Sequence, residues 1–103
     1  MSVLMEFSIF PTDKGESVSQ YVSKVIQMIH ESGISYRLTP MGTVVETETM
    51  DGALEVLRKS HKILDKDSHR VYCSANFDIR KGQTNRLDGK IASIEEKIGK
   101  VHH

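Results

Sequence analysis

The sequence predicts an α+β domain, a βαββαβ sandwich with a C-terminal helix. Three observations predict it. Val3 to Phe10 and Arg70 to Arg80 alternate apolar and polar residues at the two-residue period of a strand. Val18 to Ile29 and Leu54 to Leu64 repeat apolar residues at helical spacing. Tyr36 to Glu46 reads as a strand, a tight turn at Pro40-Met41-Gly42 and a returning strand.

Each element has a local cause. In the first strand Val3, Met5, Phe7 and Ile9 face one way, and Leu4, Glu6, Ser8 and Phe10 the other. Pro11 ends it, and a loop runs to Glu16. Ser17 and Gln20 have the spacing of a capping box, which predicts a helix over Val18, Tyr21, Val22, Val25, Ile26 and Ile29, stopped by Gly33. Ile34 to Thr39 and Thr43 to Glu48 are the two hairpin strands. Pro40 presets φ near −65° and Gly42 accepts positive φ, which gives the turn its mechanism. Asp51 opens a second helix with Leu54, Leu57, His61 and Leu64 on one side, acidic at its start and basic later. The fourth strand places Val71, Cys73, Ala75, Phe77 and Ile79 on one face and Tyr72, Ser74, Asn76, Asp78 and Arg80 on the other. After a turn at Lys81, Gly82 and Gln83, a last helix carries a narrow stripe, Leu87, Ile91, Ile94 and Ile98.

The first six elements have the order of the ferredoxin-like split βαβ sandwich, two helices on one face of a four-stranded antiparallel sheet. The other sheet face then carries Leu4, Phe10 and Tyr72 among polar residues. It is too apolar for plain solvent surface and too polar for a second core. Another subunit, the last helix, or both are expected to cover it, and such mixed surfaces serve as oligomer interfaces and ligand sites.

Composition narrows the function classes. The 103 residues suit one domain, residues 1–103, with a core of its own. Lys plus Arg and Asp plus Glu stand at 14 each, so the basic excess of a nucleic-acid binder is missing. No apolar run approaches the roughly 20 residues that span a bilayer, and the N-terminus has no secretory pattern, so no membrane partner and a cytoplasmic location are expected. The single cysteine, Cys73, is expected to be a small buried hydrophobe. His102 and His103 receive no function.

The chemistry-bearing residues form no enzyme constellation. His30, His61 and His69 lack metal-ligand spacing, and His61 is expected to be a packed histidine. No phosphate-binding glycine loop occurs. Ser17 and Ser19 flank the first helix start, where free N–H groups can cap the helix or hold a polar ligand group. Glu46 and Glu48 alternate along one strand. Asp78 and Arg80 share a strand face and can pair with each other, pair across a subunit boundary, or meet a ligand.

Taken together, Glu6 to Pro11, Ser17 to Val22, Gly33 to Glu46 with its Pro-Met-Gly-Thr turn, Arg70 to Arg80 and Leu87 to Ile91 resemble the thiamine-binding protein family, the YkoF-related group of small ferredoxin-like proteins. Thr47 departs from the glycine that often follows the hairpin glutamate in that family. The resemblance implies binding of thiamine or its hydroxymethylpyrimidine half without catalysis, with thiamine as bound ligand and no cofactor. It also implies a homo-oligomer, a dimer or dimer of dimers. An aminopyrimidine needs donors and acceptors along one edge, its ring favours an apolar or aromatic wall such as Phe10, Tyr36 or Tyr72, and the thiazolium cation favours a carboxylate. Ser8, Tyr36, Thr43 and Glu46 are therefore expected near the ligand, with Ser19, Asp78 and Arg80 as further candidates. A one-residue slip of the hairpin would exchange their faces. The competing readings are a ferredoxin-like regulatory or interaction module without this ligand, and a small enzyme on the same fold, for which no acid, base or nucleophile stands out.

Overall fold

A computed structural model describes residues 1–102, the Lys90 side chain excepted; His103 lies outside the described residues. The elements follow the expected order: β1 (Ser2–Pro11), α1 (Ser19–Ser32), β2 (Ser35–Thr39), β3 (Gly42–Thr47), α2 (Met50–Asp65), β4 (Val71–Arg80) and α3 (Arg86–Ile98). The four strands form one antiparallel sheet in the order β2-β3-β1-β4, which is the ferredoxin-like arrangement.

Register decides what each face carries. Met5 stands between Val45 of β3 and Phe77 of β4, and Val3 between Thr47 and Ile79. Val3, Met5, Phe7, Ile9 and Val45 are buried together with Val25 and Ile29 of α1 and Ala53, Val56 and Leu64 of α2. Complete burial of such a side chain contributes about 1.5–3 kcal/mol, so this layer between sheet and helices is the main source of stability.

The helices correct the sequence reading in three places. The capping box at Ser17 does not form. Val18 is the N-cap of α1, its carbonyl accepts from the N–H groups of Tyr21 and Val22, and no side chain caps the helix. On α2 the buried stripe is Ala53, Val56, Ser60 and Leu64, with Leu54 exposed. The small residues Ala53 and Ser60 let the helix lie close to the sheet, and Ser60 satisfies its own hydroxyl by donating to Val56 O at 2.7 Å. His61 consequently points outward, 3.7 Å from Asp65 rather than packed. Thr49 is the N-cap of α2, its hydroxyl accepting from Gly52 N at 3.0 Å. Thr49→Ala should therefore cost about 1 kcal/mol in chemical denaturation, with an unchanged m-value.

Gly33 ends α1 as expected, in the left-handed conformation with φ 79°. Gly42 does something different from the expectation. The turn is Pro40-Met41 closed by the Thr39–Gly42 pair, and the Thr39 hydroxyl accepts from the N–H groups of both Met41 and Gly42 at 3.1 Å. Gly42 is not among the residues with positive φ. It is glycine because the backbone of β1 passes so close: a Cβ there would stand 2.9 Å from Phe7 O.

Cys73 is exposed, not buried. It lies on the helix-facing side of the sheet, but β4 is an edge strand, and α1 and α2 lie mainly over the central strands. Ile79, on the same side, is likewise 51% exposed.

Candidate ligand-binding site

The opposite sheet face is partly covered by α3, one of the two covers expected. Glu46 holds it there. Its Oε1 accepts from Leu87 N at 3.0 Å, and its Oε2 accepts from Arg86 N at 2.9 Å and from the Ser2 hydroxyl at 2.6 Å. The Arg86 guanidinium reaches under the helix to Ser2 O, Ser2 Oγ, Asp78 O and Asp78 Oδ2. Arg37 adds an ion pair to Asp88. Burial alone would raise the Glu46 carboxyl, but the Ser2 hydroxyl, the N–H groups of Leu87 and Arg86 and the Arg86 charge together hold it below its ordinary value. Glu46 thus serves as an anionic cap on the start of α3.

A separate cleft of about 540 Å³ opens beside the hairpin turn, the place to which the sequence pointed. Its origin is the strand register. β1 pairs with β3 only from Val3 to Phe7, and then runs on alone on that side to Pro11. The gap between this unaccompanied edge, the turn and the first turns of α1 is the cleft. Phe10, Val22, Ile26 and Leu38 give it apolar walls. Ser8, Thr39 and Thr43 supply hydroxyls, and no lining residue is ionisable. Ser8 donates to Met41 O at 2.9 Å, tying β1 to the turn. Thr43 is only 7% exposed.

The seven candidates therefore fall into separate places. Ser8 and Thr43 meet in the cleft although they lie on opposite sides of the sheet, because the cleft cuts past the end of β3. Tyr36 lies outside the cleft lining, on β2 facing α1, where its hydroxyl shares a 2.8 Å hydrogen bond with His30 Nδ1. Ser19 is the exposed first residue of α1 and does not line the cleft. Glu46 is engaged by α3. Asp78 and Arg80 line a different hollow with Asn85 and Arg86, where Asp78 pairs with Arg86 instead of Arg80. The sequence reading passed over Val22, Ile26 and Leu38 as cleft walls and Arg86 as the anchor of α3. Apolar residues at helical spacing carry no mark distinguishing a wall from a core, and Arg86 acts only through its contacts with residues far away in sequence.

Residues 5–95 match the family description of a thiamine-binding protein. The chain belongs to the thiamine-binding protein family. It is similar to a UPF0045 protein of Methanocaldococcus jannaschii, 35% identical over 94 residues that cover 91% of this chain and 93% of the relative. The solved structure of that archaeal protein aligns with a TM-score of 0.80, covering 92% of this chain and 97% of the other. A Bacillus cereus domain of unknown function aligns at 26% identity and a TM-score of 0.78, covering 94% and 93%. A Thermotoga maritima protein, provisionally assigned to thiamine biosynthesis or salvage, shares the fold at 17% identity and a TM-score of 0.77, covering 91% and 99%. In this member of the thiamine-binding family, no helix is long and apolar enough to cross a membrane among the described residues.

Proposed function

We propose that this protein binds thiamine or its hydroxymethylpyrimidine half, without catalysing a reaction on it, as a cytoplasmic homo-oligomer. The observation that carries this reading is an apolar cleft without ionisable groups, in a chain of the thiamine-binding family. Its size falls in the range of small-molecule sites, roughly 300–1,000 Å³.

The cleft suits the pyrimidine half best. A flat neutral ring fits between Phe10, Val22 and Leu38, with the Thr43 and Ser8 hydroxyls and the unaccompanied backbone edge of β1 offering donors and acceptors to the ring nitrogens and amine. The thiazolium cation finds no carboxylate there and stays at the solvent-facing mouth. Glu46 acts on α3 in this reading, and catalysis lacks a proton donor or acceptor inside the cleft.

Calorimetric titration tests it. Thiamine and hydroxymethylpyrimidine should both give saturable heat with affinities within about tenfold of each other, since both present the same ring. Thr43→Val should weaken both by about fivefold, the loss of one hydrogen bond worth ~1 kcal/mol. Glu46→Gln should not weaken thiamine more than hydroxymethylpyrimidine. No heat from either compound at millimolar concentration would leave the ligand-free interaction module as the better reading.

A further inference from the structure

The hydrogen-bond phase of β1 decides which of its main-chain groups face the cleft. Thr12 N–H donates to Arg70 O at 2.9 Å, and this pair continues the β1–β4 register. Alternate residues of a central antiparallel strand bond to opposite neighbours, so even-numbered residues of β1 turn their N–H and C=O groups to β4 and odd-numbered ones to β3. On the β3 side Val3, Met5 and Phe7 meet Thr47, Val45 and Thr43. Ile9 comes next, and the same register would set Met41 opposite it. Met41 belongs to the turn, and both of its main-chain groups are engaged there. Its N–H donates to the Thr39 hydroxyl at 3.1 Å, and its C=O accepts from the Ser8 hydroxyl at 2.9 Å. The N–H and C=O of Ile9 therefore face the cleft, which Ile9 lines, without a strand partner. Pro11, the next residue on that side, has no N–H to offer. Ile9 is only 6% exposed, and main-chain groups in so buried a place are normally paired.

We propose that the Ile9 main-chain pair reads the edge of an aminopyrimidine on which the amine and a ring nitrogen stand side by side, and that it makes the cleft selective for amino over oxo pyrimidines. This rests on the ligand proposed above and names the group that recognises it. The ring nitrogen takes the place of the missing strand carbonyl and accepts from Ile9 N–H, while the amine takes the place of the missing strand N–H and donates to Ile9 O. Both bonds lie in the plane of the sheet, so the ring lies there too. Val22 and Ile26 of α1 then cover one face of the ring. Phe10, on the opposite side of β1 with its ring centroid 5.6 Å from that of Tyr72, covers the other. An oxo pyrimidine in its lactam form presents the reverse order, an N–H against Ile9 N–H and an oxygen against Ile9 O. The Ser8 and Thr43 hydroxyls can turn to donate or accept, and so tolerate either ring, but a main-chain N–H and C=O have fixed roles. The hydroxyls add affinity, and Ile9 supplies the discrimination.

Two measurements read this out on the unmodified protein. In calorimetry, hydroxymethylpyrimidine should bind about a hundredfold or more tighter than its analogue with an oxo group in place of the amine, because a site built to hydrogen-bond one pattern leaves its buried groups unpaired against the other. In NMR, the ¹⁵N-labelled protein with hydroxymethylpyrimidine ¹⁵N-labelled in the ring should show a scalar coupling across the hydrogen bond between the Ile9 amide nitrogen and a ring nitrogen. The Ile9 amide should also become protected from exchange on binding. Absence of binding by hydroxymethylpyrimidine would overturn the ligand and the Ile9 assignment together. Binding of the amino and oxo compounds with equal affinity, or tight binding of the amino compound without coupling to Ile9, would overturn the Ile9 assignment alone.

Discussion

Glu46→Ala should release the start of α3 from the sheet and lower stability by about 2–3 kcal/mol. Hydrogen bonds to a charged acceptor contribute about 1.5–3 kcal/mol each, and Glu46 accepts three. The site is only partly buried, so water replaces part of what is lost and the net cost falls below the sum of the three bonds. For a chain of this size a loss of 2–3 kcal/mol corresponds to a fall of roughly 10 °C or more in Tm. The amides of Arg86 and Leu87 should lose their protection from hydrogen exchange, while those of Met5 and Val45 in the central strands should keep theirs relative to global unfolding. Unchanged stability with protected Arg86 and Leu87 amides would show that Arg86 alone secures the helix. The pH dependence has a definite sign. The carboxyl is held below its ordinary value of 4.5, so its contribution is fully present above that value. It is lost as pH falls through the lower value of the folded protein. Glu46→Gln should flatten this acid limb of the stability profile.

Gly42→Val should damage both the hairpin and the cleft. The first added carbon would stand 2.9 Å from Phe7 O and 2.9 Å from Ser8 Oγ. The Ser8 hydroxyl can turn away, giving up its bond to Met41 O, but Phe7 O is main chain in a strand paired on both sides. The turn must therefore move off β1. Overpacking of this kind costs about 1–3 kcal/mol, and two further methyl groups place valine toward the upper end. The moved segment is one wall of the cleft, so thiamine affinity should fall by at least tenfold in calorimetry. Retained affinity in a destabilised Gly42→Val protein would place the ligand elsewhere.

Sequence pattern was sufficient for the fold because one rule, the alternation in β1 and β4 set against the helical spacing in α1, fixes which faces must meet. Val3, Met5, Phe7, Ile9, Val25 and Ile29 are buried as their spacing requires. Where the reading missed, the missing information was three-dimensional. Cys73 has the alternation of a buried residue but stands on a strand whose outer side nothing covers within the protomer. His61 shares a helical spacing with Leu57 and Leu64, but small residues on the neighbouring stripe let α2 pack about that face instead. The hairpin turn borders the cleft, and Ser8 and Thr43 both line it. Tyr36 and Glu46 belong to the same motif, yet alternation along the strands and the docking of α3 carry them to other partners. A motif that is continuous in sequence was here divided among a cleft, a helix cap and a helix–strand contact.

The most direct measurement is an amide-resolved NMR titration of the ¹⁵N-labelled protein with hydroxymethylpyrimidine. Saturable shifts should cluster at Ser8, Phe10, Met41, Gly42 and Thr43, with Arg86 and Leu87 left in place. Shifts that cluster instead around Asp78, Arg80 and Asn85, or that never saturate, would contradict a ligand seated beside the turn.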